Sequence, residues 1–164
     1  LDASAAHALT MIDRAEPEHA AVRVRARVGF ERDVHEVDAL TQVALAFGGL
    51  PRAALGRRPW VWRSGRQAPV NSAAISAMVE RTRRRGVAVD AGVNENGVFR
   101  YAAPLHTGDR AVGVLAVAQF VTPVARPPLP PILAALAAAA ARVSQALRPP
   151  ALSAPSNPLE GAAA

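Results

Sequence analysis

Residues 77–90 read Ala-Met-Val-Glu-Arg-Thr-Arg-Arg-Arg-Gly-Val-Ala-Val-Asp, and residues 97–105 read Gly-Val-Phe-Arg-Tyr-Ala-Ala-Pro-Leu. A glycine turn, His106-Thr107-Gly108-Asp109, then leads into Ala-Val-Gly-Val-Leu-Ala-Val-Ala at 111–118. The first piece closes a helix. Ile75, Met78 and Val79 recur at helical spacing, Asn71 or Ser72 can cap the start, and Glu80 to Arg85 form the solvated end before Gly86. The later pieces change to extended patterns: a short Val87-Ala88-Val89 strand, a polar loop over Asp90 to Asn96, and a strand over Val98 to Leu105. Residues 111–121 are apolar on both faces, which predicts a central strand covered on both sides.

Upstream, residues 6–13 are apolar and tolerant of a strand, and Arg14 to Glu18 form a turn. Residues 21–28 alternate valine or alanine with Arg23, Arg25 and Arg27, the period-two signature of a half-buried strand. The two strands are expected to pair as an antiparallel hairpin ending at Gly29. The arginine row could grip phosphate, although a solvated sheet face needs no partner. Val37, Leu40, Ala44 and Phe47 predict a helix over 36–47, with Asp33 as its candidate cap and Gly48-Gly49 as its stop. A short helix is expected over Leu50 to Leu55, and 57–69, with Trp60 and Trp62, reads as irregular. After the proline-rich link Pro123 to Pro131, Leu133, Leu136, Ala140, Val143 and Leu147 stripe a last helix. Residues 149–164 offer little to bury and are expected to form a disordered tail.

A chain of 164 residues is the length of one domain. It has no cysteine, which excludes a disulfide framework and thiolate metal sites. The net charge of +6 suggests nucleic acid at first. All 19 basic residues are arginine, however, alanine is abundant, and the arginines are scattered apart from Arg81 and Arg83 to Arg85. That is the composition of a GC-rich genome whatever the function, and aromatics at 4% leave little to stack on bases. The apolar run 111–141 is interrupted by Arg126 and several prolines, so no membrane span is expected where about 20 continuous apolar residues are needed. The chain opens Leu1-Asp2-Ala3-Ser4, as a piece of a longer protein would.

Enzyme templates find little. His7, His19, His35 and His106 fall in separate elements without metal-ligand spacing, and no nucleophile elbow, phosphate loop or dinucleotide fingerprint is present. His35, Glu36 and Asp38 could serve as metal or acid–base groups, but capping and charge-complementing the following helix is the simpler role. Neither enzymatic activity nor a cofactor is expected.

The segment from Ala77 to Ala118, a helix ending in a basic run plus Gly86, an apolar-Ala-apolar-Asp strand, and a glycine-led strand closing in Ala102-Ala103-Pro104, resembles the regulatory domain of IclR-type transcriptional regulators. Arg27-Val28-Gly29, the helix ending Leu45-Ala46-Phe47, and Leu50-Pro51 to Leu55-Gly56-Arg57 extend the likeness over residues 5–148. The resemblance implies an α+β, GAF-like antiparallel sheet flanked by helices, with residues 1–148 as the effector-binding domain and 149–164 as the tail. It also implies a cytoplasmic protein that binds a small, often carboxylate-bearing effector and assembles as a homodimer or homotetramer. DNA would be reached through an upstream winged helix-turn-helix that is not in this chain. A GAF-type sensor from another signalling protein is the alternative, and a nucleic-acid module resting on the arginines comes third.

The same resemblance places backbone amides of the pocket at Ala39 and Leu40 and an acidic strand end at Asp90. Strand positions fall on Arg100, Ala116 and Ala118, with Val98 beside them. Where some members carry hydroxyls at two of these positions, Ala116 and Ala118 offer none, while Arg100 adds a fork able to hold a carboxylate with two parallel bonds. Two readings follow. Arg100 anchors an acid whose apolar body lies on Val98, Ala116 and Ala118, or Arg100 pairs with Asp90 and closes the pocket.

Overall fold

The computed structural model describes residues 8–16, 18, 27–121 and 129–148. In chain order the elements are β1 (Leu9–Thr10), β2 (Glu31–Arg32), α1 (Ala39–Ala46), a 3-10 turn (Arg52–Leu55), β3 (Trp60–Arg63), β4 (Arg66–Pro69), α2 (Ser72–Arg85), β5 (Ala88–Val89), β6 (Val98–Thr107), β7 (Arg110–Phe120) and α3 (Leu129–Ala146). The α+β arrangement centres on a three-stranded antiparallel sheet, β5-β6-β7.

Period-two alternation along β6 decides what each face meets. Tyr101 and Ala103 join Val87, Leu136 and Ala140 in a cluster that seats α3. Ala102 faces the other way, with Ala88, Ala39 and Val43 beneath α1. Alanines on this second face let α1 lie close to the sheet, and Ala39 and Ala102 are wholly buried. A further cluster, built on Val37, Leu55, Val61, Ile75 and Met78, ties α2 and the β3–β4 hairpin to the α1 side.

The structure corrects several sequence expectations. α1 begins at Ala39, and its cap is Asp38, whose carboxylate accepts from the Thr41 amide. Residues before it stay extended because Val37 N donates to Trp60 O and Trp60 N to His35 O. Asp33 instead accepts from the His35 amide. The stretch expected to be irregular contains the β3–β4 hairpin, turned at Ser64 and Gly65, both with positive φ. That is the backbone a two-residue hairpin turn demands. β1 pairs with β2, and most of the strand expected over 21–28 lies outside the described residues, as does the tail.

β7 was expected to be covered on both sides. Among the described residues it pairs with β6 only, and Val112, Val117 and Phe120 are exposed. α3 starts earlier than expected, taking Pro130 and Pro131 into its first turn, where the missing N–H groups would be unpaired anyway. By length and composition alone, α3 is long and apolar enough to cross a membrane, a test that a helix of a globular core also passes. It packs on the sheet through Leu136 and Ala140.

Candidate functional site

The first turn of α1 meets the Arg100 side of β6 in a cluster of five charged side chains. Arg100 is 6% exposed. Its Nε donates to Asp90 Oδ2 at 2.9 Å, Nη1 to Asp38 Oδ2 at 2.8 Å, and Nη2 to Glu36 Oε1 at 2.5 Å. Arg32 enters from β2, reaching Glu36 Oε2 at 3.1 Å and Asp38 Oδ2 at 2.5 Å. Backbone donors share the load. Asp90 Oδ1 accepts from the Ala39 amide at 2.8 Å, and Asp90 Oδ2 also accepts from the Arg100 amide at 3.0 Å.

Local sequence explains the convergence. Asp90 directly follows β5, and its amide donates to Arg100 O, so the strand pairing itself sets the carboxylate beside the guanidinium. Asp38 reaches Arg100 because it is also the helix cap, with one oxygen on the Thr41 amide and the other on the arginines. A buried guanidinium on an apolar strand requires such partners, since an unpaired charge out of water is costly.

Three carboxylates face two guanidiniums, and the imbalance is felt. Burial pushes the Asp90 carboxyl up to about 6, against the pull of Arg100, and nearby Asp38 adds to the rise. Burial likewise raises Glu36, again with Asp38 repelling its charge. Burial works against the charged form of Arg100, but Asp90, Asp38 and Glu36 outweigh it and raise its pKa. The space bounded by Glu36, Asp38, Asp90 and Trp62 admits no water-sized molecule. In the same turn of α1, the wholly buried Thr41 hydroxyl has no hydrogen-bond partner.

Of the residues expected at the site, Ala39 and Arg100 are both hydrogen-bonded to Asp90. Ala118 lies opposite Arg100 across the β6–β7 pair, and Ala116 opposite Ala102, but both alanines are exposed. Val98, at the start of β6, pairs with Phe120 and is half-buried. Leu40 packs toward the Ala88–Ala102 cluster. Sequence reasoning weighed a metal or acid–base role for Glu36 and Asp38, preferred a helix-end role for both, and missed Arg32. The signal was available in the need of a buried Arg100 for counter-charges and in two acids just before α1. Among the described residues no group of His, Asp and Glu could hold a metal ion.

Residues 3–145 match the family described as bacterial transcriptional regulator IclR C-terminal. Similar solved structures include an IclR transcriptional regulator from Silicibacter sp. TM1040, 26% identical with a TM-score of 0.64, covering 88% of this chain and 58% of that one. One from Alicyclobacillus acidocaldarius is 22% identical with a TM-score of 0.65, covering 82% and 54%. An IclR homolog from Microbacterium hydrocarbonoxydans, complexed with 4-hydroxybenzoate, is 20% identical with a TM-score of 0.62, covering 84% and 58%. The chain spans just over half the length of these proteins, and no curated protein matches it. With its GAF-like α+β fold and a family match over nearly its whole length, the chain belongs to the IclR family of bacterial transcriptional regulators, of which it is the C-terminal regulatory domain.

Proposed function

We propose that residues 1–148 sense a small carboxylate-bearing effector and mediate self-association, and so modulate DNA binding by an upstream winged-helix domain in the cytoplasm. The observation that carries this reading is the Arg100 guanidinium, buried at the start of α1 and held by one partner suited to leave. Asp38 and Asp90 are also tied to backbone amides, whereas Glu36 engages only the two arginines among its side-chain bonds. Glu36 is also the most exposed of the three carboxylates, at 13% of its side chain. Glu36 thus occupies the place an effector carboxylate would take on Arg100 Nη2. Exchange would let the body of the ligand extend over Val98, Ala116 and Ala118, with the unpaired Thr41 hydroxyl as a further donor. The 4-hydroxybenzoate carried by one structural neighbour makes an aromatic acid the first probe to try.

The effector acts by favouring one pocket geometry and with it one arrangement of associated domains. A tenfold change in operator affinity needs only about 1.4 kcal/mol of such coupling.

A second reading has its own support in the ion pairs that already occupy all three guanidinium nitrogens of Arg100. In it the ion cluster permanently replaces the effector, and the domain serves association alone. Thermal shift with 4-hydroxybenzoate separates the two. A ligand at one hundred times its Kd adds about 2.7 kcal/mol of stability. A shift that Arg100→Ala removes and Glu36→Gln enlarges supports sensing. No shift in either the wild type or Glu36→Gln supports the closed domain.

A further inference from the structure

At the opposite end of α1 lies a cavity of about 420 Å³, within the range of roughly 300–1,000 Å³ typical of small-molecule sites. Its floor is apolar: Leu45 from α1, Leu50 from the turn that follows and Val79 from α2, each buried to 9% exposure or less. Two arginines flank it. Arg52 reaches across to the start of α2, donating to Ser76 Oγ at 2.8 Å, to Ser72 Oγ at 3.0 Å and to Ser72 O. Arg83 leans the other way, from the last turn of α2 to Ala46 O at 2.9 Å. Each guanidinium spans the cleft between the two helices, and each remains exposed.

The charge balance of this rim points to an anion. Arg52 and Arg83 face one carboxylate, Glu80, which already pairs with Arg84 at 3.6 Å and lies 4.0 Å from Arg83. The bond from Arg83 Nε to Ala46 O answers one of the carbonyls at the end of α1, where the negative end of the helix dipole would otherwise oppose an anion.

From the apolar floor, the volume and the two rim guanidiniums, we infer that this cleft is a second small-molecule site, for an organic acid with a compact apolar body. The carboxylate sits between Arg52 and Arg83, and the hydrocarbon lies on Leu45, Leu50 and Val79. The inference goes beyond the sensing role at Arg100 and does not depend on it.

The test is a titration of the 164-residue chain with hexanoate, followed by backbone amide NMR and by calorimetry, with hexanol as the neutral comparison. The amides of Leu50, Ser76, Val79 and Glu80 move together, while those of Ala39, Asp90 and Arg100 stay in place. Hexanoate binds at least tenfold more tightly than hexanol, and Arg52→Ala and Arg83→Ala each weaken it several-fold. Both substitutions fall on exposed side chains, and a wild-type amide spectrum away from the cleft verifies their fold. Val79→Phe, which fills the floor, abolishes binding of both compounds. The inference is overturned if hexanoate gives neither heat nor shifts, if hexanol binds equally well, if the arginine variants bind unchanged, or if the shifts centre on Ala39 and Arg100.

Discussion

The first turn of α1 abuts five charged side chains joined in one buried ion cluster, whereas its last turn borders an open cleft with an apolar floor and arginines on the rim. Both ends use arginine, but in opposite ways. Arg100 has left water, so each of its three nitrogens requires a carboxylate, and the site closes around it. Arg52 and Arg83 remain solvated and lean on neutral oxygens of the neighbouring elements, Arg83 with one exposed contact to Glu80 besides, so the space between them stays open. The contrast teaches that a buried charge builds its own occupant, and that a ligand must compete with that occupant. At a solvated rim a ligand displaces only water.

Replacing one arginine at each end tests this contrast most strongly. Arg100→Ala strands three carboxylates with Arg32 as their remaining cation, and the expected loss is about 3–5 kcal/mol in urea unfolding. Arg83→Ala removes one part-buried hydrogen bond and an exposed pair with Glu80, and costs about 1 kcal/mol. Equal losses at the two positions would remove the distinction between the ends.

The two helix caps sharpen it further. Asp38→Ala loses both the cap of α1 and the contacts to Arg32 and Arg100, so it should cost well over the ~1 kcal/mol of a cap alone. Asn71→Ala, at the start of α2, removes only a cap to the Ala74 amide and should cost about 1 kcal/mol. Comparable values would mean that the ion partners of Asp38 add nothing.

The pH dependence belongs to the sealed end. The folded-state value of Asp90, about 6, lies above the ordinary 3.8, and Glu36 is raised as well. The folded protein therefore holds these protons more tightly than the unfolded chain. Stability from this source is complete below the ordinary carboxylate range and is lost as pH rises through about 6. The melting temperature should climb when pH is lowered from 7 to 5, and Asp90→Asn should flatten that climb. A wild-type melting temperature that falls over this interval would contradict the assignment. The smallest effect lies on the solvated face of α2, where Glu80→Ala breaks exposed pairs with Arg83 and Arg84 and should change stability by less than about 0.5 kcal/mol.

Much of this architecture was legible where a local pattern coincides with burial. Ile75, Met78 and Val79 marked α2, Gly86 its end, and the extended run after Gly97 marked β6. Features that depend on distant partners were harder to read. The start of α1 is set by Trp60, more than twenty positions away, which holds Val37 in an extended backbone. Hairpin β3–β4 announced itself only through Ser64-Gly65, because arginines and tryptophans blur the alternation. The apolar sequence of β7 suggested cover that the described residues do not supply. At the site, Asp90 and Arg100 could be picked out on neighbouring strands, but the inward turn of Glu36 and Asp38 depends on three-dimensional packing around a buried guanidinium.

Calorimetric titration of 4-hydroxybenzoate into the wild type, Glu36→Gln and Arg100→Ala tests the central claim most directly, because it asks whether an external carboxylate can take the place of the internal one. The account predicts measurable binding to the wild type, tighter binding once Glu36 no longer competes, and none after Arg100→Ala. Binding that Glu36→Gln leaves unchanged and that survives the loss of Arg100 would contradict it.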